Sequence, residues 1–116
     1  MLAKKFKIGR KEIPYILEKG STENSKYFIL KKTPAENDHL QFTCIVSKKI
    51  HKKANKRNRI KRRIFEAIRL ILKEKPVFIS ASKTILIPKK SILDCRFSEI
   101  KGDLIKTLTK NHNGKI

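Results

Sequence analysis

The chain has 116 residues, enough for one modest hydrophobic core, and 39% of them are apolar. Thirty Lys and Arg against ten Asp and Glu leave a net charge of +20, more than solubility requires and a poor fit to a small acidic substrate, so a polyanion is the expected partner. Even the run Ile68 to Leu72 is broken by Arg69 and falls far short of the roughly 20 apolar residues that cross a bilayer, and no apolar segment follows the basic start MLAKKFKIGR as in a secretory signal, so a cytoplasmic protein with no membrane partner is expected.

Residues 10–19 (RKEIPYILEK) carry Ile13, Ile16 and Leu17 at helical spacing, with Gly20 where a helix would end. Pro14 is tolerated only in a first turn, so this helix is short and begins near Glu12 or Ile13. GSTENS reads as a loop. Residues 26–32 (KYFILKK) and 40–47 (LQFTCIVS) are rich in aromatic and β-branched types, and the turn-rich TPAENDH between them predicts an antiparallel hairpin. Alternation puts Phe28, Leu30, Phe42, Cys44 and Val46 on a core face, and Tyr27, Ile29, Lys31, Thr43 and Ile45 on a half-apolar second face. From Lys53 to Lys73 a helix is predicted on the stripe Ile60, Ile64, Ala67, Ile68 and Ile71, with Pro76 as its stop. Residues 84–88 (TILIP) form another strand, with a short extended piece at Val77 to Ile79 before it, and Phe97 to Leu108 form a last amphipathic helix through Phe97, Ile100, Leu104, Ile105 and Leu108. The tail, about 111–116, is expected to fray. The order is roughly αββ(β)αβα, which predicts one α/β sandwich domain over residues 1–116, with a single mixed sheet and a basic crossover helix.

Ten of the seventeen residues from Ser47 to Arg63 are Lys or Arg, and no acid lies between His39 and Phe65. Charge runs are commonly solvated faces or disordered tails, but this one enters the strongest helix of the chain and carries its apolar stripe with it. At about 100° per residue Asn58, Arg62 and Arg69 point away from the stripe, whereas Arg57 and Lys61 fall on its side. Unpaired charge is not buried, so these two are expected at the rim of a groove. A helix N-terminus adds free N–H groups, Arg forks suit phosphate, and Asn58 can fix a base edge, a 2′-hydroxyl or a hydrated metal ion. The candidate RNA-binding set is Lys48, Lys49, Lys52, Lys53, Arg57, Asn58, Arg59, Lys61, Arg62 and Arg69. On the second sheet face, Tyr27 can stack on an unpaired base and Lys31 can meet a phosphate, a combination suited to single-stranded RNA.

Other chemistry is sparse. Cys44 and Cys95 lack the paired spacing of a zinc site and read as reduced structural thiols. His39, His51 and His112 have no Cys or carboxylate partner at ligand spacing, so no metal or cofactor is expected on the protein alone. No carboxylate pair, activated nucleophile or Gly-rich loop is recognisable. If the protein serves an enzyme, the catalytic groups lie elsewhere.

The segment Val46 to Leu70 (VSKKIHKKANKRNRIKRRIFEAIRL) resembles the signature of the bacterial ribonuclease P protein family. The matching residues are Val46, Ser47, Lys48 and Lys49 at a strand end, Ala54, then Arg57, Asn58, Arg59, Lys61 and Arg62 opening a helix, with Glu66 and Arg69 beyond. Weaker similarity covers the helix ending at Lys19 and Gly20, the strand around Phe28, the strand before Lys89 and Lys90, and the last helix. The resemblance implies an accessory subunit of an endoribonuclease in tRNA 5′ maturation. A catalytic RNA with Mg²⁺ would cut, and the protein would bind that RNA and hold the 5′ leader of precursor tRNA between the sheet and the N-terminal helix. It also implies a left-handed βαβ crossover, against the usual hand. The leader groove would then comprise Ile13, Leu17, Tyr27, Ile29, Lys31, Thr43 and Ile45. Two residues depart from the pattern: Ile13 and Leu17 stand where the family commonly has aromatics, with Tyr15 nearby, and Phe65 stands where it often has Arg. Rival readings are a ribosomal or other structural RNA-binding protein and, less well matched because no helix-turn-helix spacing is visible, a DNA-binding regulator.

Overall fold

The computed structural model describes residues 7–34, 40–74 and 82–108, in which a four-stranded mixed sheet is flanked by three α-helices. A 3₁₀ turn, Arg10–Glu12, leads into α1, Ile13–Lys19. Pro14 stands in the first turn of α1, where its missing N–H breaks no helical bond. Gly20 closes the helix in extended geometry, its N–H donating to Ile16 O at 2.8 Å. A Cβ at Gly20 would come within 2.6 Å of Ile16 O and 2.9 Å of Lys32 O, so close approach of backbones, not a left-handed conformation, calls for glycine here.

The strands are β1 (Ser21–Asn24), β2 (Phe28–Pro34), β3 (Gln41–Cys44) and β4 (Ser82–Pro88), in the order β1-β2-β4-β3. The predicted loop at GSTENS is therefore largely an edge strand, antiparallel to β2. Its side chains are mostly exposed, so no alternation betrayed it. The predicted hairpin is also overturned. β4 lies between the two strands, antiparallel to β2 and parallel to β3. The physical reason is burial on both faces: Ser82, Thr84, Ile85, Leu86 and Pro88 are all buried, as befits a central strand.

α2, Ala54–Glu74, crosses between the parallel neighbours β3 and β4, and α3, Phe97–Leu108, follows a second 3₁₀ turn at Lys90–Asp94. The stripe Ile60, Ile64, Ala67, Ile68 and Ile71 is buried as predicted, against Phe28, Leu30, Phe42, Cys44, Val46 and Leu86 from the sheet and Ile100, Leu104 and Leu108 from α3. Phe65 packs edge-on to Phe42 with ring centroids 5.8 Å apart. On the other face Ile16 of α1 joins Ile8 and Ile85, with Ile13, Ile45 and Ile87 around them. The extended piece at Val77 to Ile79, the stop at Pro76 and the tail fall outside the described residues.

Tyr27 departs from its predicted face. It precedes β2, is only 6% exposed, and belongs to the cluster under α2 and α3. Its N–H donates to Asp103 Oδ2 at 3.0 Å and its hydroxyl to Glu99 at 3.4 Å. The Ser25 turn, closed by the Ser25 N–H on Phe28 O at 2.8 Å, precedes the regular strand, so alternation does not extend back to Tyr27.

Candidate RNA interface

The basic connector between β3 and α2 is held by its own hydrogen bonds. Ile50 N–H donates to Ser47 O at 3.1 Å, and the Ile50 side chain packs on the main core. Lys53 N–H donates to His51 Nδ1 at 3.2 Å. Arg57 Nη1 donates to His51 O at 2.9 Å and to Lys52 O at 2.8 Å, so its guanidinium folds back over the connector instead of reaching outward. Around this frame Lys48, Lys49, Lys52, Lys53, Asn58, Arg59 and Arg62 are exposed, while Arg57 and Lys61 are half-buried at the rim, as the helical geometry predicts. Arg69 is exposed too but sits about 10 Å further along the helix axis. There it is paired with Glu66 at 2.6 Å, and the hydrogen bond from Arg69 holds the Glu66 carboxyl below its usual range.

Burial pushes the Cys44 thiol up to about 12 despite the nearby Lys61 charge, and Cys95 is shifted the same way, chiefly by burial. Neither is a ready thiolate. Among the described residues no group of three His, Cys, Asp or Glu could hold a metal ion.

The second sheet face is organised in rows across the strands. Ile29 faces Ile87, and Ile45 continues that row, its N–H donating to Leu86 O at 2.9 Å. Lys31, Ile85 and Thr43 form the next row, with Thr22 on the outer side of Lys31 accepting a hydrogen bond from its ammonium. Ile13 joins the apolar row through the cluster under α1, whereas Leu17 is 37% exposed and stands outside that cluster. The groove thus gathers Ile13, Ile29, Lys31, Thr43 and Ile45, and loses Tyr27. Several residues escaped sequence reading. Ile87 completes the apolar row, Lys83 ion-pairs with Glu12 to tie α1 to β4, and Arg63 Nη2 donates to Cys95 O at 3.3 Å, tying α2 to the approach of α3. Only Ile87 left a signal, in the apolar run TILIP, where it shares a face with Ile85. Tyr15, 62% exposed, lines a cleft of about 450 Å³ with Lys11, Glu12, Thr33, Pro34 and Lys83.

A small α/β domain whose crossover helix opens on a framed, solvent-facing array of Lys and Arg defines an RNA-binding protein of the single-sheet class. The family model described as Ribonuclease P matches residues 4–112. The ribonuclease P protein components of Rickettsia felis and Rickettsia prowazekii are each 36% identical over 109 residues, covering 88% of this chain and 92% and 90% of theirs. The Staphylococcus aureus RNase P protein superposes with a TM-score of 0.68 at 25% identity, over 85% of this chain and 88% of that one. The Thermotoga maritima RNase P protein shares the fold with a TM-score of 0.73 at 22% identity, over 85% and 90%. The chain belongs to the ribonuclease P protein family. It therefore takes part in tRNA processing by an endoribonuclease complex that works with an RNA subunit and a tRNA substrate. No helix among the described residues is long and apolar enough to cross a membrane.

Proposed function

We propose that the chain is the protein subunit through which ribonuclease P engages both its catalytic RNA and the 5′ leader of precursor tRNA, while the RNA, with Mg²⁺, performs the cleavage. The observation that carries this reading is the separation of the two faces of α2. Its apolar stripe is buried on the sheet, and exposed Lys48, Lys49, Lys52, Lys53, Arg59 and Arg62 gather where the connector and the helix N-terminus meet. Free N–H groups and Arg forks at one place suit the phosphates of a folded RNA.

The leader assignment rests on the opposite sheet face, where the row Ile29, Ile87 and Ile45 offers an apolar floor beside Lys31 and beneath α1. With Tyr27 buried, exposed Tyr15 is the aromatic placed to stack on an unpaired leader base. Reconstitution with a ribonuclease P RNA at low Mg²⁺ tests the whole reading. The protein should stimulate cleavage of precursor tRNA, and more so when the leader is several nucleotides long. Tyr15→Ala should weaken binding of leader-bearing precursor and leave mature tRNA unaffected. Absence of stimulation would overturn the reading, and equal losses for both tRNAs would remove the leader from this face.

A further inference from the structure

Edge strand β1 and helix α3, on the side of the sheet away from α1, enclose an open cleft of about 660 Å³. Ser25, Lys26, Asp103, Ile105 and Lys106 are among its lining residues. Asp103 is 8% exposed and has no ion-pair partner among the described residues. Its Oδ2 accepts from the Ser25 hydroxyl at 2.7 Å and from Tyr27 N–H at 3.0 Å, but Oδ1 accepts from no described residue. A carboxylate in the lining of a cleft, with one oxygen held by protein donors and the other free of them, is placed to take a further donor from a ligand.

The surroundings decide the ligand's chemistry. Exposed Lys26 and Lys106 flank the cleft, and Glu23, the other acid in its lining, is paired with Lys32 at 2.9 Å, so in a protein of net charge +20 the cleft disfavours a cationic donor and attracts an anion. An anionic group cannot itself approach Asp103. The ligand must combine a neutral N–H donor with a negative group, and half-buried Ile105 offers an apolar wall to a flat ring. We propose that this cleft binds one nucleotide of an RNA strand, its phosphate near Lys26 and Lys106 and the exocyclic amino group of its base donating to Asp103 Oδ1. Uracil fits less well, because its N3–H lies between two carbonyl oxygens that the carboxylate repels. The inference rests on the reading of the chain as an RNA-binding subunit, and it adds a base-selective contact remote from the leader groove.

The test is a titration of the full-length protein with CMP and UMP, followed by backbone amide NMR. CMP should shift the amides of Ser25, Lys26 and Asp103 to Lys106, with half-saturation about tenfold below that of UMP, the ratio one charge-assisted hydrogen bond supplies. Asp103→Asn is the informative variant. Ser25 and Tyr27 both donate inward, so they hold the amide oxygen and turn the NH₂ toward the cleft. The fold is kept, the polarity of the cleft is reversed, and the preference for CMP should vanish. Lys26→Gln with Lys106→Gln should weaken both nucleotides alike and keep their ratio, which decides the matter even if Asp103→Asn fails to fold. No shift at these amides, or an unchanged ratio in a folded Asp103→Asn, would overturn the proposal. In the holoenzyme, a higher KM for precursor in Asp103→Asn assigns the nucleotide to the substrate, and weaker assembly assigns it to the catalytic RNA. No change in either would overturn the proposal as well. The nucleotide titration uses the protein alone, so its outcome is separable from the success of reconstitution.

Discussion

Arg57 shows how far a residue's role departs from its place in a motif. Helical periodicity puts it at the rim of the basic surface, and the structure agrees, yet its Nη1 bonds to His51 O and Lys52 O make it a brace for the connector. Arg57→Ala should therefore lower affinity for the RNA subunit by releasing Lys48 to Lys53 from their arrangement. Arg62→Ala should instead remove a phosphate contact and flatten the slope of log K against log salt by about 0.9. Salt titrations of the two variants check this: an equal change of slope for Arg57→Ala would return it to the phosphate ligands. Tyr27 is the complementary case. At 6% exposure within the core, Tyr27→Ala should cost about 3 kcal/mol in urea unfolding, whereas Tyr27→Phe, losing one long bond to Glu99, should cost less than about 1 kcal/mol. Side-chain direction on α2 was legible because the period of 3.6 fixes it. Arg57's carbonyl partners were not, since they depend on how the connector folds back, and Tyr27 was misread because alternation holds only inside a regular strand.

Sheet order is where local pattern and tertiary structure part. Every helix was legible to within a residue or so, each having an apolar stripe that must be buried, but the strands were paired wrongly. TPAENDH looks like a hairpin turn, while the stronger fact was that TILIP is apolar on both faces and needs covering on each. Burial won, and β4 took the central place. The same logic assigns the stability of α2 to its stripe: Ile64→Ala should cost about 2–5 kcal/mol, and Arg62→Ala should leave the thermal melt nearly unchanged. α1 is anchored differently, by Ile16 in the small cluster and by the Glu12 to Lys83 ion pair. The hydrogen bond from Lys83 is the main reason the Glu12 carboxyl lies below its usual value of 4.5. A depressed folded pKa stabilises above the unfolded value, and that contribution is lost as pH falls through the folded one. The Tm difference between the wild type and Glu12→Gln should thus be full near neutral pH and shrink in acid below 4.5. A difference that grew in acid would show that the pair does not anchor α1.

At the scale of the whole molecule, net charge was plain from composition, and the division of that charge between two surfaces was not. Four of the eight described acids, Glu12, Glu23, Glu66 and Glu74, are paired with basic side chains, at Lys83, Lys32, Arg69 and Lys101, away from the connector. Lys48, Lys49, Lys52, Lys53, Arg59 and Arg62 remain as exposed cations on one surface, whereas the opposite sheet face has an isoleucine floor beside Lys31. Two surfaces built so differently should answer differently to salt. If those six cations each neutralise a phosphate, log K for the RNA subunit should fall with log salt at a slope of about −5. On the proposed reading, the added affinity for a leader-bearing over a leaderless tRNA should fall far less steeply, at about −0.7 for a single strand meeting Lys31, because burial of a base on Ile29, Ile87 and Ile45 is not screened. Binding of the RNA subunit, and of both tRNAs to the assembled enzyme, measured across the same salt series would separate the two slopes. A leader increment as steep as the RNA term would mean that the leader follows the basic connector and not the sheet.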